Sequence, residues 1–367
     1  MKRYRQWCSL ALGIAAGAAL LARAAPAQTV PAPEQLLAAT LHAADVAKAN
    51  IGPGGWWDDA PEFNGRLEAD TSPQMLDFVM GHIVGKPDET PAEFATAVRL
   101  YRAAADSADD FAASAAIDRQ DYGTTIAGPA VGDRSRYLRQ AADDQHEGAV
   151  ALRFQYGRYL VRIDIGGKAA ALALDQLAAL GKIVIGRLAA IDAGKLPAPA
   201  LPDLAKSLPP ADAAFGPALG TATMAPEAWS WIWSTRSSSL VVSPRLAAMV
   251  REEGGGAPVL RRYVLAAAPT NVAELTVMPF PNGDAAAQYL AEIKRQDPRR
   301  AAAAATDGDV TVAPPIPDVA PAYRTDLHVE RYIVEIACFA PFAPTASACD
   351  AAVTQLGERA KRNLPPK

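Results

Sequence analysis

One pattern, written twice, limits most tightly what this chain can fold into. The first copy spans about residues 128–192 and contains Arg158-Tyr159-Leu160-Val161-Arg162-Ile163. The second spans about residues 315–364 and contains Arg331-Tyr332-Ile333-Val334-Glu335-Ile336. In each, an alternating apolar run, the signature of a half-buried strand, leads through a short link into an apolar-periodic segment carrying a Leu-Gly pair, Leu180-Gly181 and Leu356-Gly357. Period two followed by period 3.6 means a strand and then a helix on its face. The repeat therefore predicts an α+β chain of two tandem related domains, each an antiparallel sheet with helices packed on one face.

The pattern around the first copy is read in more detail. Val150, Leu152, Phe154 and Tyr156 alternate with Ala151, Arg153 and Gln155, and Tyr159, Val161, Ile163 and Ile165 alternate with Leu160, Arg162 and Asp164. Gly157 between the two runs predicts an antiparallel hairpin. Upstream, Thr90-Pro91-Ala92-Glu93 has the form of a helix start, and Phe94, Ala97, Val98 and Tyr101 predict a helix from there. Its counterpart in the second half is a helix through Tyr289, Leu290 and Ile293. Between the halves, Pro197, Pro199, Pro202, Pro209, Pro210 and Pro217 recur among alanines, which reads as an extended linker. The expected layout is a signal peptide at 1–27, a first domain at 28–194, a Pro/Ala-rich linker at 195–226 and a second domain at 227–367.

The leader is read from its order of residue types. Lys2, Arg3 and Arg5 precede an apolar run from Leu10 to Leu21, and Ala25-Pro26-Ala27 supplies a small-x-small cleavage site. That run is shorter than the ~20 residues a membrane-spanning helix needs. The expectation is a periplasmic or secreted protein with no integral membrane segment. Removing the leader takes four basic side chains and no acidic one from a chain whose net charge is already −4. An acidic mature chain lacks the basic footprint of a nucleic-acid partner. Cys338 and Cys349 are then the only cysteines left, and in an oxidising compartment they read as one disulfide.

Residues that could carry chemistry are few. The four histidines, His42, His82, His146 and His328, show no metal-ligand spacing among themselves. There is no G-x-S-x-G elbow, P-loop, H-E-x-x-H or G-x-G-x-x-G after a strand. No catalytic residue, metal ligand or cofactor is assigned. The ligand clue is aromatic: Trp229, Trp231 and Trp233 would share one face of a strand and could form a platform for an apolar or sugar-like ligand. The reading preferred over the platform is that these residues fill the core between helix and sheet in an alanine-rich chain. The expected partner is a small molecule or another envelope protein, with a His/carboxylate enzyme site as the alternative.

Pro129, Gly132 and Asp133, the Gly157-to-Ile163 hairpin segment and the closing Leu-bearing helix together resemble the extracellular sensor domains of actinobacterial serine/threonine kinases and related exported lipoproteins. The resemblance covers roughly residues 75–192 and 255–364. It implies a non-enzymatic binding or sensing module with an α+β sandwich, and it carries over no functional residue. The chain departs from that group in lacking a kinase segment and a lipid-anchoring cysteine, and in having its cysteine pair only in the second half.

Overall fold

The computed structural model describes residues 30–51, 55–63, 74–85, 93–141, 148–166, 173–212, 214–229, 231–234, 239–266, 268–296, 322–339 and 346–366. The expected signal peptide, His146 and the first residues of the second repeat copy, 315–321, lie outside them.

The hairpin predicted around Gly157 forms: β7 (Ala149–Tyr156) and β8 (Tyr159–Gly166) pair antiparallel, with Tyr156 opposite Tyr159. Gly157 takes φ 52°, a left-handed value that glycine adopts without cost. The tandem counterpart is β14 (Ala322–Val329) and β15 (Tyr332–Phe339), joined through Glu330 at φ 55°. Tyr159 and Tyr332 thus open equivalent strands, and both are buried.

The repeat extends to the whole topology. In the first half β3 (Met75–Gly85) and β4 (Glu93–Tyr101) are followed by α3 (Ala104–Ala113) and α4 (Ala115–Tyr122), then β7, β8 and α5 (Leu174–Asp192). In the second, β12 (Val259–Leu265) and β13 (Ala268–Pro279) are followed by α8 (Gly283–Gln296), β14, β15 and α9 (Ala346–Asn363). The inner strand orders match, β3-β4-β8-β7 against β12-β13-β15-β14, and every described pairing is antiparallel. The first sheet is extended by β6 (Arg134–Gln140) and β5 (Thr124–Ile126) at one edge. At the other edge β1 (Trp56–Asp58) and β2 (Glu62–Phe63) pair with β3. A separate hairpin, β10 (Trp231–Ser234) with β11 (Ser239–Val242), joins neither sheet.

Alternation in β8 and β15 decides what is buried. Tyr159, Val161, Ile163 and Ile165 pack with Leu177, Leu180, Val184 and Leu188 of α5. Tyr332, Val334, Ile336 and Cys338 pack with Val353 and Leu356 of α9. Each such aliphatic side chain contributes about 1.5–3 kcal/mol by leaving water. Cys338 and Cys349 are bonded to each other, Cα atoms 5.6 Å apart, which ties the start of α9 to the end of β15.

Three expectations are corrected. Residues 93–101 are the strand β4 and not a helix: Phe94, Thr96, Val98 and Leu100 are buried in alternation. The helical spacing of Phe94, Ala97, Val98 and Tyr101 was a coincidence that β-branched Thr96 and Val98 argue against. Helices lie on both faces of each sheet, since Phe111 of α3 packs against Leu160 and α8 joins Ile333, on the sides opposite α5 and α9. The 195–226 stretch holds a helical turn, α6 (Leu204–Ser207), and the strand β9 (Phe215–Thr223), which pairs with β12. β9 is an edge strand whose register shifts around Pro217, the setting in which a strand tolerates proline.

The N-terminal segment joins the halves inside the compact unit Ala32–Lys367. Helices α1 (Pro33–Ala39) and α2 (Ala43–Lys48) lead into β1, and Leu36, Leu37 and Ala39 of α1 are buried. The Glu34 carboxylate accepts from Thr221 N of β9 at 2.9 Å, and Ala225 N donates to Asp58 O at 2.9 Å. The ring of Phe63 lies where a Cβ on Gly220 would stand.

Candidate functional site

The tryptophans separate. Trp229 ends a 3-10 turn (Pro226–Trp229) instead of entering the strand, and it is 7% exposed. Its Nε1 donates to Glu335 Oε2 at 3.2 Å, and its ring stacks on Tyr289 with centroids 6.5 Å apart. Trp229 is therefore a core residue. Trp231 and Trp233 occupy the same face of β10 by register, opposite Val242 and Leu240. Their side chains lie outside the described residues. Trp56 packs edge-on against Phe94 and donates to Ile51 O, so it too belongs to the core.

Among the described histidines, His82 of β3 lies between two carboxylates, and His42 faces one, Asp58, 3.7 Å from its Nδ1. The His82 Nε2 lies 3.4 Å from Glu62 and its Nδ1 3.5 Å from Glu93, ion-pair distances longer than a good hydrogen bond. Burial favours the neutral ring, but the two carboxylates outweigh it and raise its pKa to about 9. His82, His42 and Asp58 border a cavity of about 130 Å³ at the seam between the halves, closed on the other side by Leu201 and Thr221. No group of three or more metal-ligating side chains occurs among the described residues.

A larger cavity, about 260 Å³, lies on the first sheet. Its lining is drawn from four neighbouring strands: Phe78 and Met80 of β3, Ala97 and Arg99 of β4, Leu160, Arg162 and Asp164 of β8, and Arg153 of β7. The strand register explains the charge. A two-residue turn at Gly157 sets Arg153 directly opposite Arg162, and the next pairing sets Arg136 opposite Arg153. Three arginines thus stand side by side across β8, β7 and β6, with Arg99 one row away.

Like charges in direct cross-strand opposition destabilise a sheet, so the row needs counterions. Asp118 of α4, fully buried, lies between Arg136 and Arg153, 2.7 Å from Arg153 Nη2. Arg162 donates to Asp164 at 2.8 Å and to Tyr122 Oη at 2.7 Å. Arg99 is 3.4 Å from Asp110, which also accepts from Tyr101 Oη. Burial, and then Asp110 and Asp164 respectively, push the Tyr101 and Tyr122 hydroxyls well above the ordinary phenol range. Both stay neutral donors. Arg153 is 4% exposed and its Nε has no hydrogen-bond partner. Burial pulls its pKa down against the pull of Asp118, and Arg162 and Arg99 add to the lowering.

Sequence reasoning placed Arg153 and Arg162 on the polar side of the hairpin but did not join them into a site. The signal was present, because a two-residue turn at Gly157-Arg158 forces that pairing. Arg99 lies on a strand whose residue spacing reads as a helix, so its place beside the row is not visible in the sequence.

No protein-family model matches the chain, and no curated protein matches it. Among solved structures it is similar to the extracellular domain of PknH from Mycobacterium tuberculosis, at 12% identity and a TM-score of 0.31, across 44% of this chain and 98% of that one. No helix among the described residues is long and apolar enough to cross a membrane.

Proposed function

We propose that the protein is an exported, non-catalytic binding module of the cell envelope that holds a small molecule in the first-sheet cavity. The observation that carries this reading is the arginine row bordering that cavity. Adjacent guanidiniums at direct cross-strand positions repel one another, although Arg99, Arg136 and Arg162 also stack on Phe78, Phe111 and Tyr122. The four arginines, Arg99 among them, hold three carboxylates, Asp110, Asp118 and Asp164, which leaves one positive charge for a bound group. Export is supported by the order of basic, apolar and small residues in the leader, and by a cysteine pair of the kind that persists in oxidising compartments. The apolar or sugar-like platform keeps only Trp231 and Trp233 as candidates, on a hairpin that belongs to neither sheet.

The enzymatic alternative centres on His82, which sits in a cleft beside carboxylates. A ring held protonated to about pH 9 is a poor general base at neutral pH, so binding is preferred over catalysis. Native mass spectrometry of protein purified from its own host tests the reading. A reproducible added mass that vanishes on denaturation is the expected result. A bare chain in every preparation, with no saturable binding in a small-molecule screen, would refute it.

A further inference from the structure

We propose that the first-sheet cavity is a carboxylate site: an acidic head group seats between Arg99, Arg153 and Arg162, and a short apolar chain lies on Phe78, Met80, Ala97 and Leu160. This rests on the binding-module reading above and assigns its ligand class.

The charge balance sets the head group. Three of the eight lining residues are arginines and one is an acid, Asp164, whose oxygens are already engaged by Arg162 and Tyr122. The other two counterions, Asp110 and Asp118, belong to α3 and α4 and lie outside the lining. The lining therefore carries three guanidiniums against one carboxylate, with Asp110 and Asp118 reaching Arg99 and Arg153 from outside it. An anion entering there meets four clustered guanidiniums, Arg99, Arg136, Arg153 and Arg162, that hold only three carboxylates, and it supplies the missing negative charge. Arg153 is fixed by burial against Asp118 and retains an unpartnered Nε. Its guanidinium is preorganised, and little conformational entropy remains to be lost on binding. Planar forks of this kind match a carboxylate or a phosphate.

The remaining walls choose between the two. Phe78, Met80, Ala97 and Leu160 make half of the lining apolar, and a fully hydrated inorganic anion gains nothing from covering them. The volume of about 260 Å³ is below the usual range for drug-sized ligands. It is of the size of a short-chain carboxylic acid.

Calorimetric titration with hexanoate, hexanol and inorganic phosphate tests the assignment. The wild type is expected to bind hexanoate saturably, to bind hexanol and phosphate at least about tenfold more weakly, and to lose hexanoate affinity as salt rises. Arg99→Met is expected to weaken hexanoate at least about tenfold, the scale of one lost charged hydrogen bond. Ala97→Leu, which fills the floor and leaves the charges alone, is expected to do the same. Should either variant misfold, phenylglyoxal labelling of the wild type replaces it: hexanoate should slow modification of Arg99 and Arg162. Phosphate binding as tightly as hexanoate, unchanged affinity in Arg99→Met, or absence of protection would each overturn the proposal. If Arg99→Met still carries the mass found on the native protein, the first-sheet cavity is not the site, and of the reading above only an exported binding module with its site elsewhere remains.

Discussion

At the scale of single residues, His82 is the group whose charge has a readable consequence. The folded pKa of about 9 exceeds the 6.5 expected when the ring is free. A raised histidine pKa contributes stability that is complete below about pH 6.5 and is lost as pH rises through about 9. The Glu93 partner is 60% exposed, so solvent screens one of the two pairs and leaves on the order of 1–2 kcal/mol. Urea unfolding of the wild type and His82→Gln at about pH 6 and about pH 9.5 measures it. The difference between the two proteins should be largest at the lower pH and should shrink at the higher. A difference independent of pH would show that the ring carries no charge in this window. None of this was visible in the sequence, because Glu62 and Glu93 reach His82 only once β2 and β4 flank β3.

At the scale of elements, the repeat makes an internal comparison available. The turns β7–β8 and β14–β15 are equivalent and both begin with a left-handed residue, yet one is Gly157 and the other Glu330. A side chain at that conformation costs about 1–2 kcal/mol, and a Cβ on Gly157 would meet nothing within 4 Å. Gly157→Ala should therefore destabilise by about 1 kcal/mol through its backbone alone, and Glu330→Gly should raise stability by up to the same amount. Chemical denaturation of the two variants checks the opposite signs. These hairpins were the elements most legible beforehand, since alternation broken by a glycine has few other readings. The strand β4 was lost because alanines at 95 and 97 soften its alternation, so that Phe94, Ala97 and Tyr101 pass for one face of a helix. The strand β9 was lost because prolines dominate its surroundings. Being at a sheet edge, it needs only one partner for its backbone.

At the scale of the whole molecule, the question is whether the two sheets behave as separate domains or as one folding unit. A proline-rich connection argued for independence, and the repeat gives each half its own sheet and helices. The N-terminal segment argues the other way. Leu36 and Leu37 of α1 share a buried cluster with α5 of the first half and with Leu219 and Ala222 of β9. Phe63 of β2, 1% exposed, presses on Gly220 of β9, where a Cβ would approach its ring to 2.3 Å. Phe63 and β9 lie about 150 residues apart in the chain, a separation no local pattern reveals. Gly220→Val forces the ring aside, and overpacking of this kind costs about 1–3 kcal/mol. If the seam couples the halves, hydrogen exchange of β8 and β15 amides should rise together in this variant, and thermal unfolding should remain a single transition at lower temperature. Exchange that rises in β12 and β15 while β8 keeps its protection would mean that the halves are separate domains resting against each other. The arginine cavity lies wholly on first-sheet strands. In that second case hexanoate binding should survive Gly220→Val unchanged, whereas a coupled molecule should lose affinity in step with its stability at temperatures near the transition.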